Sequence, residues 1–189
     1  MNFQELHNIE GLQFMPVTAK KQPVIKGWQT LSKKHNLINC EAVGLVCGKL
    51  SGNLEVIDID EKYSLDGNLF KNYKRIISEV NKDLLKKLVV QKTPSGGHHL
   101  IYRCQHIEGN LKLAQRYTTP QEKNQTYLEE IKSGATKEVA LKRAENDKVR
   151  VLLETRGEGG QIVCYPSKGY EIIYGDYYSI HEITLDERE

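Results

Sequence analysis

The stretch 54-LEVIDIDEK-62 sets two acids in a run of Val and Ile that is otherwise typical of a strand buried at the centre of a sheet. Successive side chains on a strand point to opposite faces, so Asp58 and Asp60 stand side by side on one face. Buried like charges at this spacing are costly unless a proton or a cation compensates them, and Mg²⁺ or Mn²⁺ prefers such hard oxygen ligands. The stretch therefore predicts a metal site, unless the strand ends at Asp60 and releases both carboxylates to water.

The composition is that of an ordinary globular domain. Of the 189 residues, 28% are charged and 39% are hydrophobic, and the net charge of +2 is too small to indicate a partner by itself. No apolar run approaches the roughly 20 residues of a membrane span, and the N-terminus has no signal-like core, so we expect a cytoplasmic protein without a membrane partner. The four cysteines form no C-x-x-C pair, which favours reduced thiols. Cys104 and His106 could begin a zinc site, but no second pair completes it.

The chain predicts one domain of strands and helices with a long insertion. Residues 1–50 form a basic α/β segment, in which the prolines and lysines around Trp28 predict a strand, a loop and a short helix. Residues 42–60 and 88–102 each predict a hairpin around a glycine-containing turn, and the period of apolar residues over 65–88 predicts a helix that covers one sheet face. Residues 103–150 are polar and far longer than an ordinary loop, so we expect an exposed insertion, helical in its later part.

The second hairpin carries the turn 95-SGGHH-99. Its glycines leave backbone N–H groups accessible beside Ser95, which would suit phosphate oxygens, although a Ser-Gly-Gly sequence alone is more often only a turn. His98 and His99 are neighbours on a strand and must point to opposite faces, so they cannot both bind one ion.

A third strand, turn, strand unit follows the insertion. Leu152, Glu154 and Arg156 alternate along one strand face and project an acid and a guanidinium together before the glycine turn 157–160. A surface ion pair between Glu154 and Arg156 would explain the same pattern.

Three stretches, 55-EVIDIDEK-62, 93-TPSGGHHLIY-102 and 152-LLETRGEGGQIVCYPSKGY-170, occur in the order and character of three known signatures. They resemble those of the bifunctional primase-polymerase (prim-pol) domain in the archaeo-eukaryotic primase superfamily, and the resemblance extends from about Met15 to Glu187. It implies an α/β (α+β) single domain with a central, largely antiparallel sheet of the RNA-recognition-motif-like kind, flanked by helices, over residues 1–189.

The resemblance also implies roles for individual residues. The catalytic, metal-binding acids of the family fall on Asp58, Asp60 and Glu154, which would hold two Mg²⁺ or Mn²⁺ ions. The nucleotide-binding positions fall on Ser95, Gly96, Gly97, His99, Arg156, Ser167 and Lys168. The sequence departs from the family at Tyr165, where a second Pro is common, and the insertion lacks the zinc-binding set that some relatives carry.

The lysine-rich stretch 20-KKQPVIKGW-28 also resembles the N-terminal segment of the family. Lys20, Lys21, Lys26 and Trp28 are candidates for a rim that faces template or nucleotide, because lysines neutralise phosphate and an indole can stack on a base. A core anchor is the competing interpretation of Trp28.

The function that follows is template-dependent nucleotidyl transfer by a DNA primase or polymerase, acting on single-stranded DNA with a primer and nucleoside triphosphates (dNTP or NTP). A metal-dependent nuclease or phosphohydrolase is one alternative, because the same acids can activate water. A non-catalytic module that binds single strands in replication is another. The charged tail "ITLDERE" resembles the exit of the family domain, so we expect the N-terminal part of a longer replication protein of a mobile genetic element, to which a helicase domain could be attached.

Overall fold

The computed structural model describes residues 2–30 and 33–189. Within these residues nine strands are present: β1 (Phe14–Val17), β2 (Ala42–Val46), β3 (Leu54–Ile59), β4 (Val89–Lys92), β5 (His98–Arg103), β6 (Lys112–Tyr117), β7 (Val149–Arg156), β8 (Gln161–Val163) and β9 (Glu171–Tyr174). The α-helices are α1 (Leu69–Val80), α2 (Leu84–Lys87), α3 (Pro120–Lys132), α4 (Lys137–Asn146) and α5 (Leu185–Arg188). Short 3₁₀ turns cover Phe3–Asn8, Trp28–Thr30, Lys49–Ser51, Glu61–Tyr63 and Tyr177–Ser179.

The strands form two antiparallel sheets. The larger has the order β6-β7-β3-β5-β4-β9, and the smaller has the order β1-β2-β8. Strand β3 lies inside the larger sheet, between β5 and β7, as its run of Val and Ile predicts. The expected α+β domain with a central antiparallel sheet is confirmed.

The two faces of β3 belong to two different cores. Leu54 and Val56 pack against the smaller sheet, where Phe14, Leu45 and Ile162 are buried with them. The residues on the opposite face of β3 belong to a separate buried cluster. Its main members are Ile57, Ile59, Leu84, Leu88, Leu100 and Tyr102. Each face thus buries its apolar residues, and Asp58 lies on the face that the smaller sheet covers in part.

Helix α1 covers the second of these faces. Leu69, Tyr73 and Ile77 recur every fourth residue and pack on the cluster around Ile59. The carboxylate of Glu61 accepts hydrogen bonds from the backbone N–H groups of the first helical turn, at 2.8 Å from Leu69 N and 2.8 Å from Phe70 N. These bonds satisfy donors that have no partner within the helix, and the acid complements the helix dipole.

Some sequence predictions need correction. The helix predicted over 65–88 is confirmed only for part of that range, since α1 ends at Val80 and α2 follows after a break. The hairpin predicted over 42–60 is wrong, because β2 and β3 belong to different sheets, and the bridge from Gly48 to Leu54 begins beyond the end of β2. The turn Lys49–Ser51 lies between two glycines of positive φ and carries the chain from one sheet to the other. The hairpin of β4 and β5 is confirmed.

The insertion also contributes to the central sheet. Strand β6 pairs with β7 and becomes the outer strand on that side. Helices α3 and α4 contact each other, and Ala140 and Ala144 of α4 are buried. The helical prediction for its later part is confirmed by α4. Across residues 2–30 and 33–189, the helices are all too short or too polar to cross a lipid bilayer.

Candidate active site

Three neighbouring strands bring polar residues of separate motifs into one row. Asp58 on β3 lies directly opposite Glu154 on β7 and opposite His99 on β5. Gln91 on β4 continues the row beyond His99, and Lys112 on β6 continues it beyond Glu154. Directly opposed residues of antiparallel strands share a face, so the row presents two acids and a histidine on one side of the sheet.

Asp58 lies in an acidic, largely buried position. Its side chain is 18% exposed, and burial together with the charges of Asp60 and Glu154 raises its pKa to about 6. Arg156 Nη2 lies 3.7 Å from Asp58 Oδ2 and opposes this rise, as does the charge of Lys21. The cations nearby therefore do not fully compensate the negative charge around Asp58.

The other two acids are engaged with cations. Asp60 follows the end of β3, where its backbone N–H donates to Leu152 O at 2.9 Å and its carboxylate lies 3.0 Å from Lys62 Nζ. Glu154 bonds the Nη2 of Arg156. The strand thus ends one residue before Asp60, but the Asp60 side chain is only 26% exposed, so neither aspartate is fully released to water.

The three carboxylates are of the chemical type that binds a divalent cation, but the structure does not arrange them as a metal site. The carboxylate of Asp58 is a hard oxygen donor whose negative charge the nearby cations do not fully compensate, and a bound divalent cation would relieve that charge. In the described part of the chain, however, no three His, Cys, Asp or Glu side chains are gathered in a group that could hold a metal ion. To bind a metal ion, Glu154 would have to release Arg156, and Asp60 would have to release Lys62.

His99 is buried and neutral. It is 5% exposed, and burial, with the charges of Lys21 and Arg156, lowers its pKa to about 3. Its Nε2 lies 3.5 Å from Asp58 Oδ1, and its Nδ1 lies 2.7 Å from Nε2 of Gln91. The neighbouring His98 faces the other side of the sheet, where its ring stacks on Phe70 at 3.6 Å between centroids. The two histidines therefore point to opposite faces, as predicted.

The turn between β4 and β5 passes close to the end of β3. A Cβ on Gly97 would lie 2.4 Å from Ile59 O, so this close approach requires glycine. Gly96 has a φ of +82° and open space around it, but its N–H already donates to Thr93 O at 3.0 Å and closes the turn. Ser95 is exposed beside it. The predicted phosphate cradle is reduced by that one N–H, and the Ser95 hydroxyl lies 3.2 Å from the hydroxyl of Thr93.

The end of the third motif is divided between the core and the surface. Ser167 is 2% exposed, and its hydroxyl accepts a hydrogen bond from Val43 N at 2.9 Å, which attaches this loop to β2. Lys168, the next residue, is exposed. The geometry gives Ser167 a structural role, so its nucleotide-binding role stays a prediction without geometric support.

The N-terminal basic segment reaches the site through Lys21. Lys21 Nζ lies 5.9 Å from the ring centroid of Tyr170, which in turn lies 6.1 Å from the His99 ring. Lys20 and Lys26 are exposed, and nothing described places them at the site. Trp28 packs against the buried cluster that includes Met15, Val17 and Tyr170, which supports its interpretation as a core anchor.

Three residues near the site were not predicted. Lys62 and Tyr170 are the last residues of the first and third motifs, and no sequence pattern marks either of them as a site residue. Gln91 had a usable signal, because it is a polar residue inside the apolar strand "LVVQK" and proves to be fully buried. Cys104 and His106 do not develop into a zinc site within the described residues, and all four cysteines are free thiols.

A comparison with curated proteins gave no match. A comparison with protein families gave a match over residues 5–184, nearly the whole chain, to the family described as bifunctional DNA primase/polymerase, N-terminal. Domains of this family are in general DNA primases and polymerases, which transfer nucleotides and act on DNA. Because the family match covers nearly the whole chain and residues of the three motifs meet in one row on the central sheet, the chain belongs to the prim-pol family.

Proposed function

We propose that the domain is a template-dependent nucleotidyltransferase, a DNA primase-polymerase that extends or initiates chains on single-stranded DNA. The observation that carries the proposal is the row of Glu154, Asp58 and His99, with Arg156 beside both acids on the same face. Nucleotidyl transfer needs acids that hold metal ions and donors that bind the triphosphate. In this row the two kinds of group lie next to each other.

Two Mg²⁺ or Mn²⁺ ions, held by Asp58, Asp60 and Glu154, would supply activation of the attacking 3′-hydroxyl and stabilisation of the departing pyrophosphate. Arg156 now neutralises Glu154. If Glu154 held a cation instead, Arg156 would no longer be paired with it, and its fork of N–H donors could bind triphosphate oxygens in pairs.

The remaining nucleotide contacts in this proposal come from one side of the row. His99, Ser95 and the turn amides other than Gly96 donate to the triphosphate, and Lys168 and Lys21 add positive charge at the rim. Lys20 and Lys26 contact phosphates of the template strand. Attachment to a helicase domain and action in a mobile genetic element rest on the resemblance to the family, and the cytoplasmic location expected from the sequence completes the proposal.

A direct test is synthesis on single-stranded DNA, with and without a primer, with dNTPs and rNTPs supplied in separate reactions. We expect template-directed products that need Mg²⁺ or Mn²⁺ and that disappear in Asp58→Asn. The same reactions with end-labelled DNA test the alternatives. Shortening of the DNA without nucleotide consumption would indicate a nuclease, and template affinity that is indifferent to metal and dNTP, without synthesis, would indicate a binding module.

A further inference from the structure

Gln91 is a buried polar residue at the junction of the two sheets. It lies on β4 directly opposite His99, its exposed fraction is 0%, and its side chain reaches β8 of the smaller sheet. Burial of an amide is costly unless its hydrogen bonds are made, so the partners of Gln91 decide what this position does.

All four hydrogen-bonding positions of the Gln91 amide are used. Its Oε1 accepts from Tyr165 N at 2.6 Å and from the Tyr177 hydroxyl at 2.6 Å. Its Nε2 donates to Val163 O at 3.2 Å and to His99 Nδ1 at 2.7 Å. A glutamine amide has two donor hydrogens and two acceptor lone pairs, so no capacity is left over.

The orientation of this amide is set by main-chain groups. If oxygen and nitrogen were exchanged, the amide NH₂ would face the N–H of Tyr165 and the amide oxygen would face the carbonyl of Val163. Neither main-chain group can change its role, whereas the Tyr177 hydroxyl can adapt to either orientation. The nitrogen of Gln91 must therefore face His99, and the ring nitrogen that it faces must accept.

We propose that Gln91 is a positioning residue that holds His99 in the tautomer with the proton on Nε2, so that this N–H points at the acidic row and donates to the incoming triphosphate. The acceptor role of Nδ1 leaves Nε2 as the protonated nitrogen, and Nε2 is the atom 3.5 Å from Asp58 Oδ1. In the other tautomer a lone pair on Nε2 would face anionic oxygens and repel them. This inference rests on the proposed function for the identity of the ligand, but the tautomer itself does not.

The tautomer can be read without any assay of activity. In ¹⁵N-labelled wild-type protein, two-bond ¹H–¹⁵N correlation spectra of the imidazoles distinguish Nε2–H from Nδ1–H, and the signals of His99 are identified by their loss in His99→Gln. We expect an unprotonated Nδ1 and a protonated Nε2. A proton on Nδ1 at neutral pH, with or without one on Nε2, would overturn the proposal.

Two variants test the consequence for binding. Gln91→Met keeps the length of the side chain but removes every hydrogen bond, and Tyr177→Phe removes one bond to Oε1 but keeps the two main-chain groups that set the orientation. With Mg²⁺ and dATP, we expect Gln91→Met to lose the pure Nε2–H signature and raise the apparent KM roughly tenfold, with a smaller change in kcat. Tyr177→Phe should keep both the tautomer and the KM of the wild type.

The outcomes separate this inference from the proposed function. A folded Gln91→Met with wild-type KM, or a Tyr177→Phe that shifts the tautomer, would contradict the positioning role. If Gln91→Met does not fold, the wild-type spectrum still decides the tautomer and Tyr177→Phe still tests what sets it. An Nε2–H signal in a wild-type protein that binds no dATP would support the tautomer and would instead contradict the proposed function.

Discussion

At the scale of single residues, the charge around Asp58 explains both why the site is costly to build and what it can bind. Asp58 is mostly buried beside two further acids, while the nearest guanidinium is shared with Glu154. An isolated carboxylate in this position would be expelled or protonated, and a divalent cation removes the need for either. Without a metal ion, the ionised carboxylate of Asp58 should therefore lower the stability of the folded domain.

Asp58→Asn should stabilise the metal-free domain at neutral and alkaline pH. The pKa of Asp58 is about 6 in the folded state against 3.8 for the unfolded reference, so ionisation costs folding free energy. The wild type carries no such cost below pH 4, acquires it as pH rises from 4 to above 6, and keeps it at pH 8. We expect Asn to gain about 1 to 3 kcal/mol at pH 8 and nothing at pH 3.5, by denaturant unfolding in EDTA. An equal gain at both pH values would contradict the assigned cause.

The two adjacent histidines provide a matched pair for the nucleotide contact. His99→Ala should raise the apparent KM for the triphosphate roughly tenfold or more, because a hydrogen bond to a charged phosphate contributes on the order of 1.5–3 kcal/mol. His98→Ala removes only a ring stacked on Phe70 on the other sheet face, so its effect should fall on stability. Steady-state kinetics of both variants check the assignment, and a larger KM effect for His98→Ala would reverse it.

At the scale of elements, the sequence indicated which strands exist but not how all of them pair. The alternation in "LEVIDID" and the adjacency of His98 and His99 determine side-chain faces within each strand, but only the resemblance to the family implied that His99, and not His98, shares a face with Asp58. The pairing of β2 with β1 and β8 could not, because β2 is buried along most of its length and its apolar run fits a partner in either sheet. The role of Gln91 could not be predicted, because it depends on hydrogen bonds to Val163, Tyr165 and Tyr177, which lie more than 70 positions away in the sequence.

The turn between β4 and β5 shows a second constraint at this scale. Gly97→Ala should disturb the end of β3, because its Cβ would lie 2.4 Å from Ile59 O, a backbone atom that cannot move aside alone. Gly96→Ala has open space and carries only the cost of its positive φ, about 1 kcal/mol. We expect Gly97→Ala to lose more stability and most of the synthesis, measured by thermal unfolding and primer extension. Equal losses in both variants would mean that the turn moves freely relative to β3.

At the scale of the whole molecule, the C-terminal helix is attached to the centre of the large sheet through a buried charge. Glu55 on β3 has an exposed fraction of 0% and accepts from the Tyr102 hydroxyl at 2.7 Å and from Arg188 Nε and Nη2 at 2.6 and 2.9 Å. Its position next to the motif of Asp58 means that the last turn of the described chain holds the strand that carries the site.

Arg188→Met should therefore destabilise the whole domain and not only its end. Removal of one partner of a buried ion pair leaves an uncompensated charge and typically costs 3–5 kcal/mol, whereas replacing both partners with neutral groups is often nearly neutral. We expect Arg188→Met to lose stability on that order, and Glu55→Gln combined with Arg188→Met to recover most of it. Glu108→Gln, which removes the exposed partner of Arg188 at 3.4 Å, is the matched control and should change little. Denaturant unfolding of the four proteins tests this coupling, and if Arg188→Met frayed only the terminus, hydrogen exchange would show β3 still fully protected.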